Sequence, residues 1–274
     1  MAEQKTSGEA GPVTVATLRS MAEAGRKIAC LTAYDASFAA LVDEAGTDLV
    51  LVGDSLGMVV QGHTTTVPVT VDDIVYHASM VARGLKRAFL VADMPFASFA
   101  TPDQALASAA RLMQQGGAQM VKLEGQLGQA GIVERLAMSD IPVCAHLGLR
   151  PQSIHKMGAY RVHGKGAEAS DRLLADALKF QEAGADLLLL ECVSSAAAAR
   201  ITQAVEVPVI GIGAGPAVDG QILVLYDVIG VTRGRLPRFA RNFAAEGRAP
   251  DEAVRAYVEA VRDGSYPAPE HGFA

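Results

Sequence analysis

The sequence predicts an α/β fold, a (β/α)8 TIM barrel with an N-terminal helix. Three observations predict it. Eight short apolar runs recur along the chain, the segments between them are long enough for helices and many are rich in Ala, Leu, Met and Glu, and the 274 residues come close to the roughly 250 that such a barrel uses. Six of the runs also end in a charged or ionisable residue. A parallel strand covered by helices on both faces should be apolar almost throughout, so an acid or histidine at its last position needs a cause. Catalytic groups of such barrels sit at the C-terminal ends of the strands, which makes an active site that cause.

In order, the runs span residues 28–35, 48–54, 88–93, 119–124, 142–146, 186–191, 207–214 and 220–228, and the first six close on Asp35, Asp54, Asp93, Glu124, His146 and Glu191. One barrel nearly uses up the chain, so residues 1–274 are expected to form a single domain, with 1–12 a disordered arm and 14–24 a helix able to plug the barrel bottom. Two helix starts are well marked. Thr70 precedes the first-turn acids Asp72 and Asp73, and Thr101-Pro102-Asp103-Gln104 combines an N-cap, a Pro at the first helical position and a capping-box Gln. The connections 55–69 and 148–166 exceed the usual two to six residues and leave the catalytic face, so both are candidate lids or substrate contacts.

Composition narrows the function. No apolar run reaches the roughly 18 residues of a membrane span, and the first dozen residues lack the apolar core of a signal peptide. A net charge of −6 without a basic stripe excludes a general nucleic-acid surface, and an anionic substrate would need local positive charge. Cys30, Cys144 and Cys192, odd in number and set in strand-like runs, suit reduced core residues of a cytoplasmic protein. Nothing basic beside Cys192 in sequence marks it as a thiolate.

The strand ends carry the chemistry. Asp54 and Asp93 close neighbouring strands and, without a His or Cys partner, suit a hard cation such as Mg2+; the alternative is that each caps a helix or binds loop amides. Glu124 could support a metal through water. Lys122, two residues earlier on the same strand face, could hold a substrate carboxylate or form an ion pair with Glu124 or Asp93. His146 could bind substrate oxygens or be a satisfied core residue. Glu191 ends the run Leu187-Leu188-Leu189-Leu190, where burial should raise its pKa into the range of a general base; its alternative is an ion pair with Lys122. Gly211, Gly213 and Gly215 could cradle a phosphate or simply let their loop pack tightly. Asp35 suits a helix cap.

Val52-Gly53-Asp54-Ser55-Leu56-Gly57, Ala92-Asp93-Met94-Pro95-Phe96, Val121-Lys122-Leu123-Glu124-Gly125, Ala145-His146-Leu147-Gly148-Leu149 and Val209-Ile210-Gly211-Ile212-Gly213-Ala214-Gly215 with Asp219-Gly220-Gln221 resemble the ketopantoate hydroxymethyltransferase family, within the phosphoenolpyruvate mutase/isocitrate lyase-like barrels. The resemblance runs from about Leu18 to the tail 266–271; Gln126 departs from it where a second Gly is expected, as does Tyr226 where a His often precedes Asp227. It implies transfer of a one-carbon unit from 5,10-methylenetetrahydrofolate to 3-methyl-2-oxobutanoate, giving 2-dehydropantoate in pantothenate synthesis. It also implies a Mg2+ site and a homo-oligomer, commonly a decamer. Carried over, Asp54 and Asp93 would ligate the metal and meet the substrate, and Glu124 would contact the metal through water. Ser55, Lys122 and His146 would hold the substrate, and Glu191 would be the catalytic base.

Such an oxo acid can chelate Mg2+ through its keto oxygen and one carboxylate oxygen, which stabilises the enolate left when Glu191 takes the C3 proton. His155, Lys156, Arg161, His163 and Lys165 on the long loop are candidates for the anionic folate tail, against the alternative of a solvated basic loop or a subunit contact. A Mg2+-dependent lyase or mutase acting on another 2-oxo acid, or a sugar-phosphate isomerase gripping phosphate at 211–215, are the rival readings.

Overall fold

Strands that are apolar on both faces need cover on both, and the eight runs achieve it by closing on themselves. The computed structural model describes residues 11–245 and 247–274. In it β1 (Ile28–Thr32), β2 (Leu49–Val52), β3 (Phe89–Asp93), β4 (Met120–Glu124), β5 (Val143–Gly148), β6 (Leu187–Glu191), β7 (Val209–Ile212) and β8 (Gly220–Leu223) form a closed parallel barrel in chain order. The closing seam pairs Ile28 with Gly220. The expected TIM barrel is therefore the observed fold. Most of the expected arm, residues 1–10, lies outside the described residues.

Side chains alternate across the barrel wall with the period of two that a strand imposes. Ala29, Leu31, Val50, Val52, Leu90, Val121, Val143, Leu188 and Leu190 point outward into the layer shared with the helices. Ile28, Cys30, Leu49, Leu51, Phe89, Val91, Met120, Cys144, Leu187, Leu189, Ile210 and Ile222 fill the interior. The N-terminal helix, Val15–Glu23, is capped by Thr14 and sends Leu18 and Met21 into this interior cluster, where they meet strand-start residues such as Ile28, Leu49 and Phe89. It plugs the bottom of the barrel.

The structure shortens several of the expected strands: β2 ends at Val52, so Asp54 lies in the turn beyond it and does not close the strand, and β7 keeps only Val209–Ile212 of 207–214. β1 stops at Thr32, so Asp35 lies beyond it and caps the helix Ala36–Glu44 by accepting from the Phe38 amide at 2.9 Å. The run 220–228 turns helical at Leu225–Val228, with the Leu225 amide donating to Thr32 Oγ1 at 3.1 Å. Thr70 and Asp73 form the full reciprocal box on the helix Val71–Gly84. Thr101 caps Pro102–Gln114 as expected, but Gln104 does not complete a box. Its carbonyl accepts from the Ala100 amide, one residue before the cap, and its amide donates to Ala97 O. The two long connections are ordered by the short helices Leu56–Val59 and Ile154–Met157. Among the described residues no helix is long and apolar enough to cross a membrane.

Candidate active site

The interior alternation does not stop at the apolar layers. Phe89 and Val91 lead to Asp93, Met120 to Lys122 and Glu124, Cys144 to His146, and Leu187 and Leu189 to Glu191, so each ionisable group continues the interior face of its strand toward the C-terminal end. Register sets neighbouring pairs side by side: Asp93 pairs with Lys122 and Glu124 with His146, while Glu191 pairs with Gly148, two residues beyond His146. Asp54 and Ser55 enter from the turn after β2. All seven predicted residues line one cavity of about 570 Å³ at the C-terminal mouth of the barrel.

Lys122 is the buried cation of this layer, and its Nζ lies 2.6 Å from each oxygen of Asp93. The Asp54 amide also donates to Asp93, at 3.2 Å. Of the partners the sequence left open for Lys122, the structure selects Asp93; the Lys122–Glu191 pair does not form. Asp54 is pushed up to about 7, chiefly by burial and then by the nearby Asp93 carboxylate. Burial, with Asp54 next, likewise raises Glu124 well above its ordinary value.

His146 is buried and neither ring nitrogen makes a hydrogen bond of normal geometry; Nε2 lies 3.3 Å from Glu191 Oε2 and Nδ1 3.9 Å from Glu124 Oε1. Burial, and then the charge of Lys122, hold its pKa well below the usual imidazole range, so the ring is neutral. Glu191 keeps 16% of its side chain open to the cavity, and burial lifts its pKa to about 7. Gly148 makes this placement possible. Its φ is +94°, and a Cβ there would stand 2.3 Å from the Glu191 carbonyl oxygen.

The same geometry closes other possibilities. Cys192 lines the cavity, but burial and the adjacent Glu191 push its thiol up to about 12, so it is no nucleophile. Gly213 and Gly215 serve packing: a Cβ on the first would press on Phe239 at 2.8 Å, on the second on Ser195 Oγ at 2.5 Å. Tyr160 and Pro151 of the loop after β5 line the cavity, whereas Lys156 and Arg161 do not.

Sequence reasoning missed Gln152. This buried residue donates its side-chain amide to Asp54 Oδ2 at 2.9 Å and to Met94 O at 3.0 Å, and its backbone amide to Glu124 Oε2 at 3.1 Å. It also missed Tyr34, whose hydroxyl lies 2.9 Å from Ser55 Oγ, and the cavity-lining Arg233 and Arg235. The crowding of arginines at 233, 235, 238 and 241 in an acidic chain was a legible signal for the last two. Gln152 had none beyond its place in a long loop.

The sequence profile of ketopantoate hydroxymethyltransferase matches residues 12–269. The chain belongs to the ketopantoate hydroxymethyltransferase family. It is 59% identical to the 3-methyl-2-oxobutanoate hydroxymethyltransferase of Halorhodospira halophila, over 96% of this chain and 95% of that one. It is 56% identical to the enzyme of the same name from Erwinia tasmaniensis, over 96% and 99% of the two chains. Among solved structures, a phosphonopyruvate hydrolase in complex with oxalate and Mg2+ superposes with a TM-score of 0.60 at 14% identity, covering 94% of this chain and 93% of that one. A 2,3-dimethylmalate lyase of the phosphoenolpyruvate mutase/isocitrate lyase superfamily superposes at 0.58 and 20% identity, over 90% and 85%. At these identities the superpositions show a shared barrel fold.

Proposed function

We propose that this chain transfers a hydroxymethyl group from 5,10-methylenetetrahydrofolate to 3-methyl-2-oxobutanoate, giving 2-dehydropantoate. The observation that carries this reading is the convergence of Asp93, Lys122, Glu124, His146 and Glu191 on one cavity at the open end of the barrel, in a chain whose residues 12–269 match the family.

The residues fit a divalent cation. Asp54, Asp93, Glu124, Glu191 and Asp227 are five carboxyl groups lining one cavity with a single buried ammonium, and repulsion between neighbouring carboxylates adds to burial in raising Asp54 and Glu124. Among the described residues no three His, Cys, Asp or Glu side chains already converge as a closed metal cluster, so substrate oxygens and water would complete the coordination of Mg2+ held by Asp54 and Asp93, with Glu124 behind. When bound, Mg2+ supplies Lewis acidity toward the keto oxygen of the oxo acid.

The chain's own groups do the rest. Lys122, Ser55 and neutral His146 hold the carboxylate and keto oxygens, which orients the C3–H bond toward Glu191. Glu191, ionised above pH about 7, takes the C3 proton onto its carboxylate. The electron pair left at C3 forms the new bond to the methylene carbon of the folate as one of its two C–N bonds breaks, and water provides the hydroxyl oxygen as the second C–N bond breaks; the two nitrogens released take up the proton held by Glu191 and the proton left by water. Gln152 keeps Asp54 and Glu124 in position.

In deuterated buffer with Mg2+, the protein should exchange the C3 proton of 3-methyl-2-oxobutanoate and, once methylenetetrahydrofolate is added, form 2-dehydropantoate. Absence of both overturns the proposal. We further propose that residues 1–274 are one barrel domain, that the chain works in the cytoplasm, and that it assembles as a homo-oligomer, a decamer by analogy with the family.

A further inference from the structure

Four arginines, Arg233, Arg235, Arg238 and Arg241, follow the last strand of a chain whose net charge is −6. Two of them serve packing. Arg238 donates to Glu270 O and lies over the Phe273 ring, and Arg241 lies over the Phe243 ring. Arg233 and Arg235 are exposed, and neither forms a hydrogen bond or ion pair with another described residue. Both nevertheless line the cavity that holds the candidate active site.

The cavity is divided by chemistry. Its floor is the charged layer already described, while Met58, Tyr160, Pro237 and Phe239 supply apolar and aromatic surface elsewhere on its wall. Met58 and Tyr160 are themselves 39% and 56% exposed, so this surface lies toward the mouth. A volume of about 570 Å³ is of the size that takes a drug-sized ligand, well beyond the needs of a five-carbon oxo acid. A flat ring system suits the apolar surface. An anionic tail suits two exposed guanidinium groups, each able to grip a carboxylate through two donors, and the floor's own carboxylates would turn such a tail outward.

We propose that Arg233 and Arg235 bind the glutamate carboxylates of the folate co-substrate, with Met58, Tyr160 and Phe239 around its ring system. This inference rests on the hydroxymethyl-transfer reading. It assigns the tail to the segment after β8 instead of the basic loop after β5, whose Lys156 and Arg161 do not line the cavity.

The test compares two one-carbon donors, 5,10-methylenetetrahydrofolate and 5,10-methylenetetrahydropteroate, which lacks the glutamate. Four proteins are assayed: the unaltered enzyme, Arg233→Ala/Arg235→Ala, Arg233→Lys/Arg235→Lys and Lys156→Ala/Arg161→Ala. The unaltered enzyme should prefer the folate by about fivefold in kcat/KM, the size expected of two exposed charge pairs. The alanine pair should abolish that preference and the lysine pair should retain part of it. Both side chains are exposed and without a partner among the described residues, so folding is not at stake. A preference under about twofold in the unaltered enzyme overturns the assignment. So does a preference that survives both alanines, or one lost instead on Lys156→Ala/Arg161→Ala. If the unaltered protein turns over neither donor, the hydroxymethyl-transfer reading falls with it; turnover with an unmoved preference overturns the arginine assignment alone.

Discussion

Glu191 Oε2 lies 3.3 Å from His146 Nε2, and the imidazole it faces is neutral because burial and Lys122 disfavour its charged form. A neutral imidazole cannot hold Glu191 ionised at low pH, so the carboxyl keeps the raised pKa of about 7 that its burial dictates. Exchange of the C3 proton should therefore rise with pH through about 7 and then level off. Glu191→Gln should lower the exchange rate by about 10²–10⁴-fold, the usual worth of a positioned base. Nuclear magnetic resonance of the oxo acid in deuterated buffer measures both.

The same carboxyl shapes stability. Its folded pKa of about 7 stands above the ordinary 4.5, so between those values the folded chain keeps a proton that the unfolded chain releases. Stability is lost as pH rises through that window. Glu191→Gln never ionises, and without added metal it should be more stable than the unaltered protein by roughly 1–3 kcal/mol at pH 8, with no gain at pH 4. Urea unfolding at the two pH values checks the sign.

Lys122 and Asp93 are a buried pair, at 2.6 Å, with almost no solvent on either side chain. Removing one partner leaves a buried charge uncompensated. Lys122→Met should cost roughly 3–5 kcal/mol in urea unfolding, and the double variant with Asp93→Asn should recover a large part of that loss.

Metal binding should register in unfolding before it registers in turnover. Mg2+ at a hundredfold excess over its Kd should stabilise the protein by about 2.7 kcal/mol, and Asp54→Asn should shrink the rise in Tm. Chelation should abolish C3 exchange. A Tm indifferent to Mg2+ in the unaltered protein would count against the site formed by Asp54 and Asp93.

Gly148 is a point where fold and chemistry meet. Gly148→Ala combines a φ of +94° with a Cβ 2.3 Å from a backbone oxygen of Glu191, so it should lower stability by roughly 1–3 kcal/mol or more and displace the base. Thermal unfolding together with the exchange assay reads both effects, and a variant normal in both would refute this role for Gly148.

Much of the site was legible because a strand's alternation is rigid. Once Leu187, Leu189 and Glu191 share a face, burial of the first two carries the third to the barrel mouth, and the same logic placed Asp93, Lys122, Glu124 and His146. The helix plug and the Asp35 cap follow equally local rules. Gln104 escaped because its side chain had two backbone groups within reach, Ala97 and Ala100, and sequence spacing cannot rank them. Gln152 escaped for a stronger reason: it lies 98 residues from Asp54 and 28 from Glu124, and no local period links them.

By itself the sequence determined the barrel, the order of its strands and the identity of the ionisable residues at their ends, because periodicity and burial act within a few residues along the chain. Only the tertiary structure decided which of those residues meet. It paired Lys122 with Asp93, left His146 facing Glu191 and brought Gln152 between two acids. It also set two exposed arginines from beyond β8 on the wall of the cavity. Those choices depend on the register between strands and on how loops distant in sequence fold over the barrel mouth, where side-chain reach and the cost of burying charge select one partner among several.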